Sequence, residues 1–191
     1  PDEQHTTTTS EGSAYGMYKG DGNASTSIVN GLNMAKGGMI MTKRTDGSAG
    51  WDVRDTVSGG GFRCRANEDI AQEANDPGYT FNSDGYNPGD GVTTSWTNTS
   101  GSSYQSACFR KHKGFFDVVK YTGTGSARTV AHELETQPGM IWVKNLTDSG
   151  SDWSVWHESL GHGSGLNSAN YNVQLNSTDS QDGKSGYWNN T

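Results

Sequence analysis

The sequence predicts an all-β protein built from tandem antiparallel β-sandwich repeats of about 100 residues each. Three observations carry that prediction. Only 30% of the 191 residues are apolar, against roughly 45–50% in an average globular chain. Gly, Ser, Thr and Asn together fill 84 positions, and these are the residues of turns and hydroxyl-rich loops. The apolar residues that remain fall in short segments, aromatic or β-branched and bounded by Gly, Asp or Ser, which is the signature of strands rather than helices.

Residues 1–14, including Thr6-Thr7-Thr8-Thr9-Ser10, carry almost no apolar side chain and read as a polar arm or linker that orders only on a neighbouring surface. The first repeat is expected over 15–113. Within it Met39–Lys43 and Trp51–Val57 read as paired strands, and Thr45-Asp46-Gly47-Ser48 supplies the turn between them. Asn67–Ala74 is the one segment that suits a helical turn. The second repeat is expected over 114–191, with strands at Phe115–Thr122, Met140–Lys144 and Trp153–His157 and a turn at Thr147-Asp148-Ser149-Gly150. In the last of these, Trp153, Val155 and His157 alternate with Ser154 and Trp156, so one face is expected to be buried.

The repeat rests on ordered matches. Gly38-Met39-Ile40-Met41-Thr42-Lys43 recurs 101 residues later as Gly139-Met140-Ile141-Trp142-Val143-Lys144. Asp46 with Trp51-Asp52-Val53 recurs 102 residues later as Asp148 with Trp153-Ser154-Val155. Tyr18-Lys19-Gly20-Asp21-Gly22 matches Tyr121-Thr122-Gly123-Thr124-Gly125 at an offset of 103. The second copy stops at Thr191, near the counterpart of Phe81–Tyr86, and lacks a counterpart of Tyr104–Phe109. A sandwich without its closing strand exposes an edge, so the expectation is a truncated second repeat. A strand donated by another chain is the alternative. The start at Pro1, without Met or a basic and apolar leader, fits a piece of a longer protein.

Charge and composition exclude several partners. The net charge of −7 disfavours nucleic acid, whose binding needs Lys and Arg against phosphate. The one basic cluster, Arg110-Lys111-His112-Lys113, reads as a solvated strand end. No run approaches the ~18 apolar residues of a membrane span. Cys64 and Cys108 form either a single bridge or two buried free thiols, and by themselves complete no zinc site.

Catalytic patterns fail on spacing. His157-Glu158-Ser159-Leu160-Gly161-His162 has one residue too many for the two metal-binding His of a metalloprotease helix, and His132-Glu133-Leu134-Glu135 has no second His. Gly161-His162-Gly163-Ser164-Gly165 has the composition of a nucleophile elbow in the wrong frame. A glycoside hydrolase needs two carboxylates across one cleft. Glu68-Asp69-Ile70-Ala71-Gln72-Glu73 sets its Asp one place too early for the glucanase strand pattern, and the counterpart near Tyr171–Leu175 has no carboxylate. Asp84-Gly85-Tyr86-Asn87-Pro88-Gly89-Asp90 offers oxygen ligands for Ca²⁺, but a turn explains the same residues. Glycines 59–61 open no helix and so make no phosphate cradle. Catalytic and metal residues are therefore expected to be none, no cofactor is expected, and the binding residues stay unassigned. Trp51 and Trp153 are expected in the core. Trp96, Trp156 and Trp188 stand in polar surroundings, where a flat aromatic face could stack on a sugar ring. Glycosylation sequons at Asn23, Asn98, Asn145, Asn176 and Asn189 follow from the composition alone.

Phe115-Phe116-Asp117-Val118-Val119-Lys120-Tyr121-Thr122-Gly123, then Pro138-Gly139-Met140-Ile141-Trp142-Val143-Lys144, then Trp153, Val155 and His157, resemble the repeated sandwich domains of tail-fibre and virion appendage proteins of marine and cyanobacterial tailed phages. Phe81-Asn82-Ser83-Asp84-Gly85 and Tyr104–Phe109 resemble later segments of the same unit. The resemblance covers about residues 15–191 and implies a concanavalin A-like lectin/glucanase sandwich of jelly-roll type. Met41-Thr42 and Asp55 depart from that pattern in the first copy, and no catalytic residue carries over. What the resemblance implies is a non-enzymatic virion structural protein, a fibre or surface appendage on the outside of the particle. It would associate with other virion proteins and with copies of itself, as a trimer, and adhere to host-surface carbohydrate. A capsid decoration protein, a polysaccharide-degrading tailspike and a bacterial adhesin are the alternatives.

Overall fold

The structure, a computed structural model, describes residues 5–10, 12–74, 78–90, 96–161, 168–183 and 188. The chain divides into two compact units, Pro1–Cys64 with Glu73–Thr136, and Arg65–Gln72 with Gln137–Thr191. These divisions differ from the 15–113 and 114–191 repeats, because residues 114–136 group with the first unit and residues 65–72 with the second.

The described residues of the first unit are all-β apart from a 3₁₀ turn at Met34–Lys36. The strands are β1 (His5–Ser10), β2 (Ser13–Lys19), β3 (Ile28–Val29), β4 (Gly38–Arg44), β5 (Asp52–Asp55), β6 (Phe62–Arg65), β7 (Glu73–Ala74), β8 (Tyr79–Phe81), β9 (Gly85–Pro88) and β10 (Ser103–Arg110). They make a seven-stranded sheet in the order β1-β2-β10-β4-β5-β6-β7 and a three-stranded sheet in the order β3-β9-β8. The sequence-last strand β10 lies centrally, antiparallel to both β2 and β4, so the sheet closes only through a pairing of high sequence separation.

Register decides which side chains meet between the sheets. Tyr18 lies opposite Tyr104, Ala14 opposite Cys108, and Cys108 opposite Ile40, so all five point the same way. Ile28, Tyr79 and Tyr86 of the smaller sheet join them in one buried cluster. The two sheets thus pack face to face as a β-sandwich. Tyrosine substitutes for the scarce aliphatics. Tyr18 stacks on Tyr104 with centroids 5.2 Å apart, Tyr79 stacks on Tyr86 at 5.6 Å, and Tyr18 meets Tyr86 edge-on at 6.4 Å. Each buried ring contributes roughly 2–3 kcal/mol, and burial holds the phenols of Tyr18, Tyr79 and Tyr86 well above their usual range. The polar residues stitch the loops. Buried Asn98 donates to Gly89 O at 2.8 Å and accepts from the Asp21 N–H at 3.1 Å, so its sequon is inaccessible.

In the second unit β11 (Met140–Val143), β12 (Ser154–His157), β13 (Tyr171–Gln174) and β14 (Asp182–Gly183) form a four-stranded antiparallel meander. A 3₁₀ turn at Ser168–Asn170 precedes β13. Its first hairpin has the register of β4–β5: Met39 faces Asp55 and Met41 faces Val53, as Met140 faces His157 and Trp142 faces Val155. Lys43 donates to Ala49 O inside one hairpin, and Lys144 donates to Ser151 O inside the other.

Several expectations are corrected. Phe115–Thr122 is not a strand; it makes one isolated bridge, His112 to Phe116, and Phe115, Val119 and Tyr121 are exposed. Strand propensity is expressed only where a neighbour takes the backbone N–H and C=O groups, and among the described residues nothing lies beside this segment as β10 lies beside β2. Side chains hold it instead. Asp117 accepts from Lys111 at 3.1 Å and from the Glu133 N–H at 2.8 Å. Burial opposes ionisation of that carboxyl, yet these bonds keep it below the usual range. Asn67–Ala74 is not helical and ends in β7. The Thr-rich arm is a strand on the chain's own β2, since backbone pairing at a sheet edge needs no apolar face and β-branched Thr favours the extended chain. Of the two alternatives left open for Cys64 and Cys108, the structure shows buried thiols with no disulfide between them.

Candidate functional site

A wide cleft lies in the second unit, over the β11–β14 sheet, with a volume of about 760 Å³. The register builds its floor. Val143 faces Ser154, Ser154 faces Gln174, and Asn172 faces Asp182, so these five side chains share one face of the sheet. The β11–β12 turn and the segment before β14 form the walls, through Asn145, Asp152, Asp179 and Gln181.

Hydrogen bonds set these groups. Asp152 accepts from the Gln174 amide at 2.6 Å and from the Asn176 amide at 2.7 Å, one on each oxygen. Asn176 in turn accepts the Trp153 N–H at 2.9 Å, which ties the carboxylate to the start of β12. Gln174 therefore turns its amide nitrogen to Asp152 and leaves its carbonyl as an acceptor. Gln181 accepts the Gly161 N–H at 3.0 Å through Oε1, leaving its amide nitrogen as a donor. Asn145 closes its own turn by accepting the Thr147 N–H at 3.0 Å. Asn172 is 4% exposed, and its Oδ1 has no hydrogen-bond partner. Asp152, Asp179 and Asp182 make the lining anionic, and among the described lining residues there is no Lys or Arg.

A second polar constellation lies inside the first unit. Arg54, fully buried, donates to Asp52 at 2.8 Å and to Gly60 O at 2.6 Å, and its guanidinium sits 4.4 Å from the Tyr79 ring centroid. Arg63, 3% exposed, bonds Asp52 at 3.5 Å and Glu73 at 3.0 Å. Above it Trp96, 45% exposed, lies 5.2 Å from the Arg63 guanidinium carbon. Two cations and two carboxylates neutralise one another, which makes this a structural knot joining β5, β6 and β7 rather than an open site.

The chain matches, over residues 9–191, the family model described as "Domain of unknown function (DUF7483)". It belongs to the DUF7483 family. No curated protein and no solved structure matches it.

In this DUF7483 domain the residues singled out by motif do not converge. Glu68 pairs with Arg65 at 3.0 Å, Glu73 with Arg63 at 3.0 Å, and Asp69 uses its backbone carbonyl to accept from Gly150 and Lys144. Of the proposed calcium loop, Gly85–Pro88 is strand β9, and Asn87 spends its side chain on Ala24 O and the Gly89 N–H. No group of three or more His, Cys, Asp or Glu able to hold a metal occurs among the described residues. His157 accepts the Ser159 N–H at 3.1 Å, while His162 and the 163–165 elbow lie outside the described residues. Trp153 is buried, donating to Arg65 O at 2.8 Å, and Trp156, expected in polar surroundings, is also buried at 9% exposure. Trp96 is exposed and Trp188 half-buried. The sequon at Asn189 lies outside the described residues. Asp152, Asn172 and Gln174 were not foreseen, because they converge only through strand register.

Proposed function

We propose that this protein is a non-enzymatic structural protein of a phage virion, a fibre or surface appendage whose lectin-like sandwich units adhere to host-surface glycans. The observation that carries the reading is the wide cleft of the second unit, walled by Asp, Asn, Gln and Ser side chains on an antiparallel sheet. Such a lining suits a hydrated, hydroxyl-rich surface better than an apolar metabolite. The shared register of the β4–β5 and β11–β12 hairpins supports a tandem arrangement of concanavalin A-like, jelly-roll repeats. Copies of the chain would assemble as a trimer with other virion proteins on the outside of the particle. The tailspike alternative has less support, because both oxygens of Asp152 are already engaged by amides. The decoration alternative is weakened by the arm, which lies on its own β2.

The test is adhesion of the purified protein to cells that the particle infects, before and after enzymatic removal of surface polysaccharide. Adhesion that disappears with the polysaccharide supports the reading. Adhesion that survives removal, or release of reducing ends during contact, overturns it.

A further inference from the structure

We propose that the β13–β14 loop, residues 175–181, is a docking site for the β4–β5 turn of a second copy of this chain, so that copies join head to tail. The inference goes beyond the adhesion reading and does not depend on it. A contact of this kind exists inside the second unit, and the internal repeat supplies a second loop and a second turn of the same design.

Within the second unit, residues 65–72 hold the β11–β12 turn. Asp69 O accepts the Gly150 N–H at 3.0 Å and Lys144 Nζ at 3.1 Å. Leu146 O accepts the Gln72 N–H at 3.0 Å, and Arg65 O accepts the Trp153 indole N–H at 2.8 Å. On the loop side every one of these groups is backbone, so the contact follows the path of the chain more than the identity of its side chains. In this contact Ala66 is 4% exposed and Trp153 7%.

The β13–β14 loop repeats that loop 109 residues later. Phe62 faces Ala74 and Arg63 faces Glu73, as Tyr171 faces Gly183 and Asn172 faces Asp182. Both loops open with the same turn, the Glu68 N–H on Arg65 O and the Ser177 N–H on Gln174 O. Asn67 and Gln72 recur as Asn176 and Gln181. Thr178 O therefore takes the place of Asp69 O, and the Gln181 N–H that of Gln72. The second loop is bare where the first is covered: Leu175, at the position of buried Ala66, is 37% exposed, and residues 178–181 are exposed.

The β4–β5 turn has the features of the turn that the first loop holds. Lys43 bonds Ala49 O as Lys144 bonds Ser151 O. Trp51 stands at the position of Trp153, half-buried, and residues 45–48 are exposed. Lys43 and Arg44 bring positive charge to a loop that carries Asp179. This turn is one residue shorter, and Gly47 stands in place of Ser149, whose hydroxyl accepts the Ala71 N–H at 3.1 Å. The contact between copies thus has one hydrogen bond fewer. Loop and turn are different surfaces, so the contact is heterologous and either closes a ring, as in a trimer, or runs on as a filament.

The experiment mixes two variants of the full chain, Ser48→Cys and Thr178→Cys, under mild oxidation. Ser48 takes the place of Gly150 and Thr178 that of Asp69, whose backbones meet at 3.0 Å, close enough for a disulfide. Cys64 and Cys108 are buried and stay out of the reaction. A two-chain product holding one of each variant is expected from the mixture, well above the disulfide dimer that either variant forms alone. Sedimentation of the unmodified chain up to about 1 mM should show self-association, with a Kd on the order of 0.1 mM for so small an interface. Asp179→Lys should weaken it about fivefold at low salt. A mixture that gives no more product than the single variants, a chain that stays monomeric, or an association that Asp179→Lys leaves unchanged overturns the inference. Should Asp179→Lys fail to fold, the cysteine mixture decides alone. Cell adhesion that persists while cross-linking fails leaves the adhesion reading standing without this contact.

Discussion

Replacing Asp52 with Ala should cost the first unit about 3–5 kcal/mol, the range for removing one partner of a buried ion pair. The structure supplies the reason. Arg54 is fully buried and Arg63 is 3% exposed, and Asp52 accepts from both. Removing the carboxylate takes two hydrogen bonds from Arg54 and one from Arg63, while Arg63 keeps its bond to Glu73 and Arg54 its bond to Gly60 O. Of the two cations, the fully buried Arg54 loses more. A double variant, Asp52→Leu with Arg54→Met, removes the charge along with its partner and should recover most of the loss, because a buried pair exchanged for apolar groups is often near neutral. Amide hydrogen exchange in β4 and β10 is the suitable assay, since those strands belong to the first unit and the two compact units need not unfold together. A loss below about 1 kcal/mol for Asp52→Ala, or a double variant no better than the single, would refute the reasoning.

Other consequences follow from the same core. Tyr79 buries a hydroxyl that has no partner, so Tyr79→Phe should leave stability unchanged or raise it slightly, and thermal melting that falls by more than about 4 °C would contradict this. Gly85, at φ +157, brings its backbone so near β3 that an added Cβ would lie 1.9 Å from Ile28 O, and Gly85→Ala should destabilise the first unit by about 1–3 kcal/mol in urea titration. Burial pushes the Cys108 thiol up to about 12. The unfolded thiol ionises first on raising the pH, so stability should fall as pH climbs from about 9 towards about 12, and Cys108→Ala should flatten that slope. At neutral pH both buried cysteines should stay unlabelled by iodoacetamide until the chain unfolds, and prompt labelling of native protein would count against the packing.

The hairpins were legible because local pattern suffices for them. Met39–Lys43 and Met140–Lys144 carry strand residues bounded by turn residues, and β4 and β11 lie there. Phe115–Thr122 has equally good strand residues and forms none, because a strand is completed by its neighbour and not by its own sequence. The Asp52 and Arg54 pair was invisible for a related reason. Residues two apart on a strand share a face, and nothing in the sequence says whether that face meets water or a tyrosine ring. Trp156 presents the same difficulty, with polar neighbours in sequence and buried surroundings in space. The cleft is the extreme case. Val143, Asp152, Asn172 and Asp182 come from separate strands and turns, so no spacing rule gathers them.

Electron microscopy of the particle that carries this chain tests virion adhesion most directly. Density for the sandwich units projecting from a tail or vertex, with the β11–β14 cleft facing outward, is the result expected of an adhesive appendage. Density lying flat on the capsid shell with that cleft buried between subunits, or no density on the particle, would contradict it.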